Sequence, residues 1–280
     1  MHPILLTLTL PFNIPVIGNV ITVYTYGFFA ALGFLSGYLL LLYRSKKYGI
    51  PQEISGDIAF YSSIAGIIGA RLSYVIVNWD YFSDNLSEIY KIYNGGIIFY
   101  GGAITGLAAG ILLSLMKKKN FFQMLDLAVP SLTLGHFFGR IGCYMYGCCH
   151  GSVCAAKSFI CSVFPKGSPA YDRQVKLGLI NNLDVHALPV IPTQLIEAVF
   201  LFILTFLLLI FDKKYKKYNG QLFVLYLLLY SLFRFIIEFF RGDYDTEFIF
   251  FSMITFSQII SLALFFTAIV IFMTKGRKNI

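Results

Sequence analysis

Arginine is costly inside an apolar segment, so Arg71, Arg140, Arg234 and Arg241, all set in such segments, are the first residues to explain. Gln194, Glu197, Glu238, Tyr26, Tyr100 and Tyr230 accompany them. A guanidinium group offers planar, paired donors and stays protonated, which suits it to phosphate. Each residue also has a simpler explanation: Arg241 snorkels from a helix end, Arg234 and Glu238 pair at i,i+4, and the tyrosines form an interfacial belt. Several arginines at one depth are harder to dismiss, because the three acids nearby do not obviously neutralise them and a bound anion would. At membrane depth that anion is a phospholipid headgroup. Gly101 and Gly102, beside Tyr100, are expected to leave room for lipid, whereas Gly106 and Gly110 suit close helix packing.

All five cysteines, Cys143, Cys148, Cys149, Cys154 and Cys161, fall within nineteen residues. Disulfides stapling an extracytoplasmic segment, inert buried thiols, a metal site and a reactive thiolate beside arginine all remain open. The C-x4-C-C-H spacing lacks paired C-x2-C ligands, and adjacent Cys148 and Cys149 suit one ion poorly, so neither a metal nor a cofactor is assigned.

The elements that carry these residues are membrane spans. Of the 280 residues, 58% are hydrophobic and only 13% charged, about half the charged share of a soluble domain. Apolar runs lie near Val20–Tyr43, Ser55–Asn78, Gly96–Met116, Phe121–Met145, Pro192–Phe211, Gly220–Phe240 and Phe251–Met273, each long enough to cross a hydrocarbon core. The sequence therefore predicts an all-α polytopic membrane protein with seven transmembrane helices, forming a single membrane domain over residues 1–280. Positive clusters follow spans one, three, five and seven, at Arg44/Lys46/Lys47, Lys117–Lys119, Lys213/Lys214/Lys216/Lys217 and Lys275/Arg277/Lys278. The positive-inside rule then puts the N-terminus outside and the C-terminus in the cytoplasm. Met1–Tyr43 holds no charged residue, so the basic start of a cleavable signal peptide is missing and the N-terminus is expected to be retained. Residues 146–191, with Pro165, Gly167, Pro169 and Pro189, are expected to form a small irregular extracytoplasmic cap. In this topology the polar side chains share the outer leaflet. The net charge of +8 sits in short clusters between apolar runs, which argues against nucleic acid as a partner.

The segment Leu134–Gly151 reads LGHFFGRIGCYMYGCCHG and resembles the signature of the bacterial prolipoprotein diacylglyceryl transferases. The resemblance extends in order through YTYGF at Tyr24–Phe28, GARLSYV at Gly69–Val75, NGGIIFYGG at Asn94–Gly102, LDLAVP at Leu125–Pro130, PTQLIEA at Pro192–Ala198 and YSLFRFIIEFFRGD at Tyr230–Asp243. It implies seven spans in the bacterial cytoplasmic (inner) membrane, with the N-terminus outside. It also implies transfer of diacylglyceryl from phosphatidylglycerol to the lipobox cysteine of a prolipoprotein, releasing glycerol 1-phosphate. Tyr26, Arg140, Gly151, Tyr230 and Arg234 match the family's functional positions. Tyr100 stands where the family has a histidine proposed to assist thiol deprotonation, and a phenol is a weak base at neutral pH. Cys143 replaces an asparagine, Cys148, Cys149 and His150 replace the acidic and aromatic residues before Gly151, and Ile191 stands where histidine often occurs.

On this reading Arg140 and Arg234 hold the donor phosphate, with Arg71 and Arg241 contributing to positioning. Tyr26, Tyr100 and Tyr230 orient the headgroup, Gln194, Glu197 and Glu238 fix the surrounding side chains, and Cys143 and Gly151 are expected to line the substrate site. His150, next to Gly151, is the proton-transfer candidate, whereas His136 reads as structural. Two other functions remain open: a related enzyme with another acceptor, and a non-catalytic phospholipid-binding or transport protein. A redox membrane protein has only the cysteines in its favour.

Overall fold

The computed structural model describes residues 4–14, 18–91, 95–154, 161–243 and 254–276. The expected start of the last span at Phe251, Asn94 of the NGG segment and residues 155–160 of the cap lie outside them. The described chain is mostly helical. Six helices are long and apolar enough to cross a membrane: α1 (Thr25–Ser45), α2 (Gln52–Val77), α4 (Phe99–Met116), α7 (Thr193–Lys214), α8 (Gln221–Glu238) and α9 (Phe256–Gly276). Another helix, α5 (Phe121–Tyr146), has 26 residues but is not among those six. Its sequence includes Gln123, Asp126, His136 and Arg140, so the residues that suggest chemistry also lower its hydropathy.

One element was not expected. Strands β1 (Ile4–Ile14) and β2 (Gly18–Tyr24) pair antiparallel, with Ile4 opposite Tyr24 and Ile14 opposite Gly18. The predicted first span therefore begins five residues late, at Thr25. Val20–Ile21–Thr22–Val23 is a run of β-branched residues, which favours strand, and hydropathy alone does not separate a short apolar strand from a helix.

The chain divides into two compact units, residues 1–37 with 129–280 and residues 38–128. In the second, Leu41, Ile50, Ile58, Met124 and Leu127 form the core. Helices α2 and α4 pack through glycine, because a Cβ on Gly69 would lie 1.9 Å from Thr105 Oγ1 and one on Gly102 would lie 2.8 Å from Gly66 O. The second unit also holds the short helix α3 (Trp79–Asp84) and a 3-10 turn at Leu86–Glu88.

In the first unit, Val129 of α5 packs with Leu204 and Leu208 of α7 and Leu222 of α8. Thr205 donates to Thr133 across α7 and α5 at 2.9 Å, and Phe200 stacks on Phe233 with centroids 3.8 Å apart. Between α5 and α7, Phe164, Ala170, Tyr171, Ala187 and Val190 make a small separate core. The expected irregular segment thus contains a helix, α6 (Pro169–Lys176), with Ser168 capping it and Pro169 at its first position.

The approach of α1 to α5 sets where α5 lies. A Cβ on Gly33 would sit 2.7 Å from Gly135 O, and one on Gly37 2.7 Å from Ser131 O. Those neighbours are backbone atoms and cannot swing aside. Gly33→Val is therefore expected to cost about 1–3 kcal/mol, read as a lower thermal midpoint in detergent, while Gly27→Ala, which meets nothing within 4 Å, leaves the midpoint unchanged.

Candidate functional site

In the first unit, α5 and α8 bring two polar side chains to one carboxylate on α7. Arg140 Nη2 donates to Glu197 Oε1 at 2.9 Å, and the Tyr230 hydroxyl donates to the same oxygen at 3.3 Å. Arg140 Nε donates at 3.2 Å to His136 Nε2, one turn back on α5. That ring nitrogen is therefore unprotonated. His136 also packs edge-on against Tyr230, with centroids 5.6 Å apart, and Tyr230 stacks on Tyr226. Glu197 is almost fully buried, at 2% exposure. A lone carboxylate would not persist there, and a guanidinium with a phenol makes it tenable. His136, expected to be structural, is a direct partner of Arg140, and the i,i+4 spacing of the two was the available signal.

Arg234 sits one turn beyond Tyr230 on α8. It donates from Nη1 to Glu238 Oε2 at 2.5 Å and from Nη2 to Ser257 Oγ at 3.4 Å. Glu238 Oε1 in turn accepts from Thr255 Oγ1 at 2.8 Å. Tyr230, one turn before Arg234 on α8, shares Glu197 Oε1 with Arg140, so the two arginines are joined to one cluster through Tyr230. Arg241 forms a fork with Asp243, Nε to Oδ1 at 2.9 Å and Nη2 to Oδ2 at 2.6 Å. The uncompensated positive charge expected from the sequence is thus absent from these three arginines, since Glu197, Glu238 and Asp243 each take one. Sequence reasoning missed Asp243, Ser257 and Thr255 because their closeness is set by the fold.

The chain after α5 is tied down by its backbone. Gly147 has φ +89°, and its N–H and that of Cys148 both donate to Cys143 O, ending the helix. Gln194 Nε2 donates to Cys148 O at 2.7 Å and Thr193 Oγ1 to Cys149 O at 2.8 Å, so the start of α7 holds this loop. Gly151 bridges to Arg241 and donates to Ile191 O. A Cβ on Gly151 would lie 2.7 Å from Ile191 O and from Phe240 O. Close approach explains this glycine without a ligand. His150 is 3% exposed, and its Nδ1 bonds the Gly151 carbonyl at 2.8 Å. The carbonyl only accepts, so Nδ1 carries the proton and Nε2 alone remains basic.

Of the five cysteines, Cys154 and Cys161 form a disulfide, while Cys143, Cys148 and Cys149 are free. The free sulfurs all lie within 4.8 Å of one another, although Cys148 and Cys149 are sequence neighbours. Cys149, at φ +59°, points its sulfur into the group. The Cys148 thiol donates to the Cys143 carbonyl at 3.9 Å. Tyr26, at the start of α1, packs its ring against Tyr146 at 6.5 Å and lies beside Gly142.

The second unit overturns two expectations. Arg71 donates from Nε to Ile89 O (2.9 Å), from Nη1 to Gly95 O (2.6 Å) and Gly96 O (2.9 Å), and from Nη2 to Glu88 O (2.5 Å) and Lys91 O (3.5 Å). A guanidinium has five N–H groups, and all five are used on carbonyls. Arg71 holds the segment between α2 and α4 and has no donor left for phosphate. Likewise, a Cβ on Gly101 would lie 1.9 Å from Ser73 Oγ, so α2 fills the space that Gly101 and Gly102 were expected to leave for lipid. Tyr100 stands at the start of α4, in this same unit.

A family model described as prolipoprotein diacylglyceryl transferase matches residues 14–274. A protein of Clostridium tetani (strain Massachusetts / E88) named phosphatidylglycerol–prolipoprotein diacylglyceryl transferase is 35% identical over 250 residues, covering 89% of this chain and 92% of that one. One of Clostridium perfringens (strain 13 / Type A), named as transferase 2 of the same description, is 32% identical over 260 residues, covering 92% and 94%. One of Staphylococcus aureus (strain Newman), again of that name, is 36% identical over 220 residues, covering 78% and 74%.

If Glu197 is what makes the buried arginine tenable, Glu197→Ala is expected to destabilise the protein by about 3–5 kcal/mol. Glu197→Gln, which retains an acceptor oxygen, loses less. Thermal unfolding in detergent measures both, and equal losses would show that the carboxylate's charge does not matter.

Proposed function

The chain belongs to the prolipoprotein diacylglyceryl transferase family, and from that membership we propose that it transfers a diacylglyceryl group from phosphatidylglycerol to the cysteine thiol of a prolipoprotein, releasing glycerol 1-phosphate. The protein is an enzyme of the membrane, and its substrates are the lipid and the prolipoprotein.

In this reaction the thiol sulfur bonds to the terminal glyceryl carbon as that carbon's bond to a phosphate oxygen breaks. The thiol proton leaves, and the phosphate departs as a glycerol monoester. The phosphate thereby passes from a singly charged diester to a monoester that carries more negative charge. Fixed cations that meet this growing charge stabilise the transition state more than the ground state. Arg140 and Arg234 take that role. The observation that supports it is that each rests on its own carboxylate, with Tyr230, one turn from Arg234, bonded to the carboxylate that holds Arg140. Arg140 Nη1 has no protein partner among the described residues, which leaves it a donor to offer.

Tyr230 and Tyr26 orient the headgroup, with Glu197 and Glu238 holding the cations in register. Gln194 keeps the loop of Cys143 and Gly151 in place, and Arg241 acts through Asp243. His150 Nε2 is the base candidate on the chain after α5. Tyr100 enters on the family resemblance alone.

The finer topology belongs to the same proposal: seven crossings in the bacterial cytoplasmic (inner) membrane, the N-terminus outside, residues 146–191 as an external cap, and the site facing the outer leaflet. Helix α5 supplies the seventh crossing, since 26 residues extend about 39 Å at 1.5 Å per residue. The four positive clusters at alternate helix ends support the orientation.

Purified protein given labelled phosphatidylglycerol and a lipobox peptide is expected to release glycerol phosphate and to add a diacylglyceryl mass to the peptide. Arg140→Ala and Arg234→Ala are each expected to lower the rate per folded molecule by about 10²–10³, the folded fraction being measured separately because each leaves a carboxylate partner unpaired. Lipid binding with neither product would establish a non-catalytic lipid-binding protein, and release without peptide modification would establish another acceptor.

A further inference from the structure

The reaction just described uses none of the thiols of Cys143, Cys148 and Cys149 as nucleophile or base, yet the fold assembles them with care. Cys143 lies in the last turn of α5. The turn that ends this helix at Gly147 brings the next two cysteines back over it, and Gln194 and Thr193 pin both of their carbonyls. The result is three sulfur atoms within 4.8 Å of one another, presented by a backbone that is fixed before any ligand arrives.

From this cluster we infer a binding site for a soft, thiophilic cation of the Cu(I) class, held by the sulfurs of Cys143, Cys148 and Cys149 in three-coordinate geometry. Thiolate donors select soft ions. Among the described residues no histidine or carboxylate joins the three sulfurs within that distance, so the donor set is three sulfurs rather than the four ligands of structural zinc. A monovalent ion on three thiolates leaves a net charge of −2, which the guanidinium groups of Arg140 and Arg241 offset only in part, since each already holds a carboxylate. Arg140 and Cys143 are three residues apart on one helix, hence on the same face. Beside the cluster, the Gln194 amide that holds Cys148 is 0% exposed, and its Oε1 has no hydrogen-bond partner among the described residues. This is a polar environment around the sulfurs, unlike that of inert packed thiols. Binding replaces the thiol protons, which leave to solvent, and requires no oxidant. Cys154 and Cys161 are joined in a disulfide and offer no thiolate.

Protein purified in detergent without reductant is expected to yield three alkylatable thiols on denaturation. Titrated anaerobically with Cu(I) against bathocuproine disulfonate, it is expected to retain one equivalent per chain and to develop thiolate-to-copper absorption in the near ultraviolet. Cys143→Ser, Cys148→Ser and Cys149→Ser should each weaken retention at least about tenfold, while the Cys154→Ser/Cys161→Ser pair retains copper as the wild type does. Because a serine in this loop can disturb folding, X-ray absorption of the copper-loaded wild type provides a second measurement, with a first shell of three sulfurs expected. Fewer than three thiols, copper held equally well after all three cysteines are replaced, or a shell containing nitrogen would each overturn the assignment.

Discussion

A guanidinium group cannot enter an apolar bundle without acceptors for its five donors and a counterweight for its charge, and the architecture follows from meeting that demand in two ways. Arg71 is satisfied by main-chain carbonyls, those of Glu88, Ile89, Lys91, Gly95 and Gly96, and Arg44 donates to the carbonyls of Asp126 and Leu127 and to the Tyr48 hydroxyl. Arg140, Arg234 and Arg241 are satisfied by carboxylates. The difference sorts their roles. An arginine whose donors all go to carbonyls is a fastener between chain segments, and a ligand would have to unmake the fold to reach it. One paired with a carboxylate keeps a directional donor fork whose partner can be shared.

Glu197 illustrates the sharing. One of its oxygens serves Arg140 and Tyr230 together, so helices α5, α7 and α8 are coupled through a single buried atom. Because His136 accepts from Arg140, the cluster at rest is close to neutral. The cost of keeping two cations away from water is thereby offset locally, and the cations remain able to respond when negative charge grows beside them.

The helices were largely legible in the sequence because a span is announced by twenty apolar residues, a property of composition that needs no partner. The strand pair was not, since Val20–Val23 is as apolar as a span and only its β-branching differs. Arg140, Arg234 and Glu197 were singled out by depth, and Tyr230 by the family resemblance. Depth could not separate Arg71 from them, because its partners are carbonyls, which every residue has. The pairing of Cys154 with Cys161 was hidden for a related reason: five clustered cysteines allow many connections, and backbone geometry selects one. Gly101 and Gly102 were misjudged because a missing side chain looks the same whether a ligand or a neighbouring helix occupies the space.

The strand-like tie between Gly151 and Arg241, with Ile191 and Phe240 closing on it, joins the chain after α5 to the end of α8 through peptide groups alone. Peptide groups are common to all residues, so the spacing between these two arginine-bearing helices does not depend on which side chains fill positions 143 and 148–150. Those positions are free to vary chemically without loosening the frame. That freedom is how an asparagine, acidic and aromatic vocabulary can give way to cysteine and histidine while the cationic frame stays where it was.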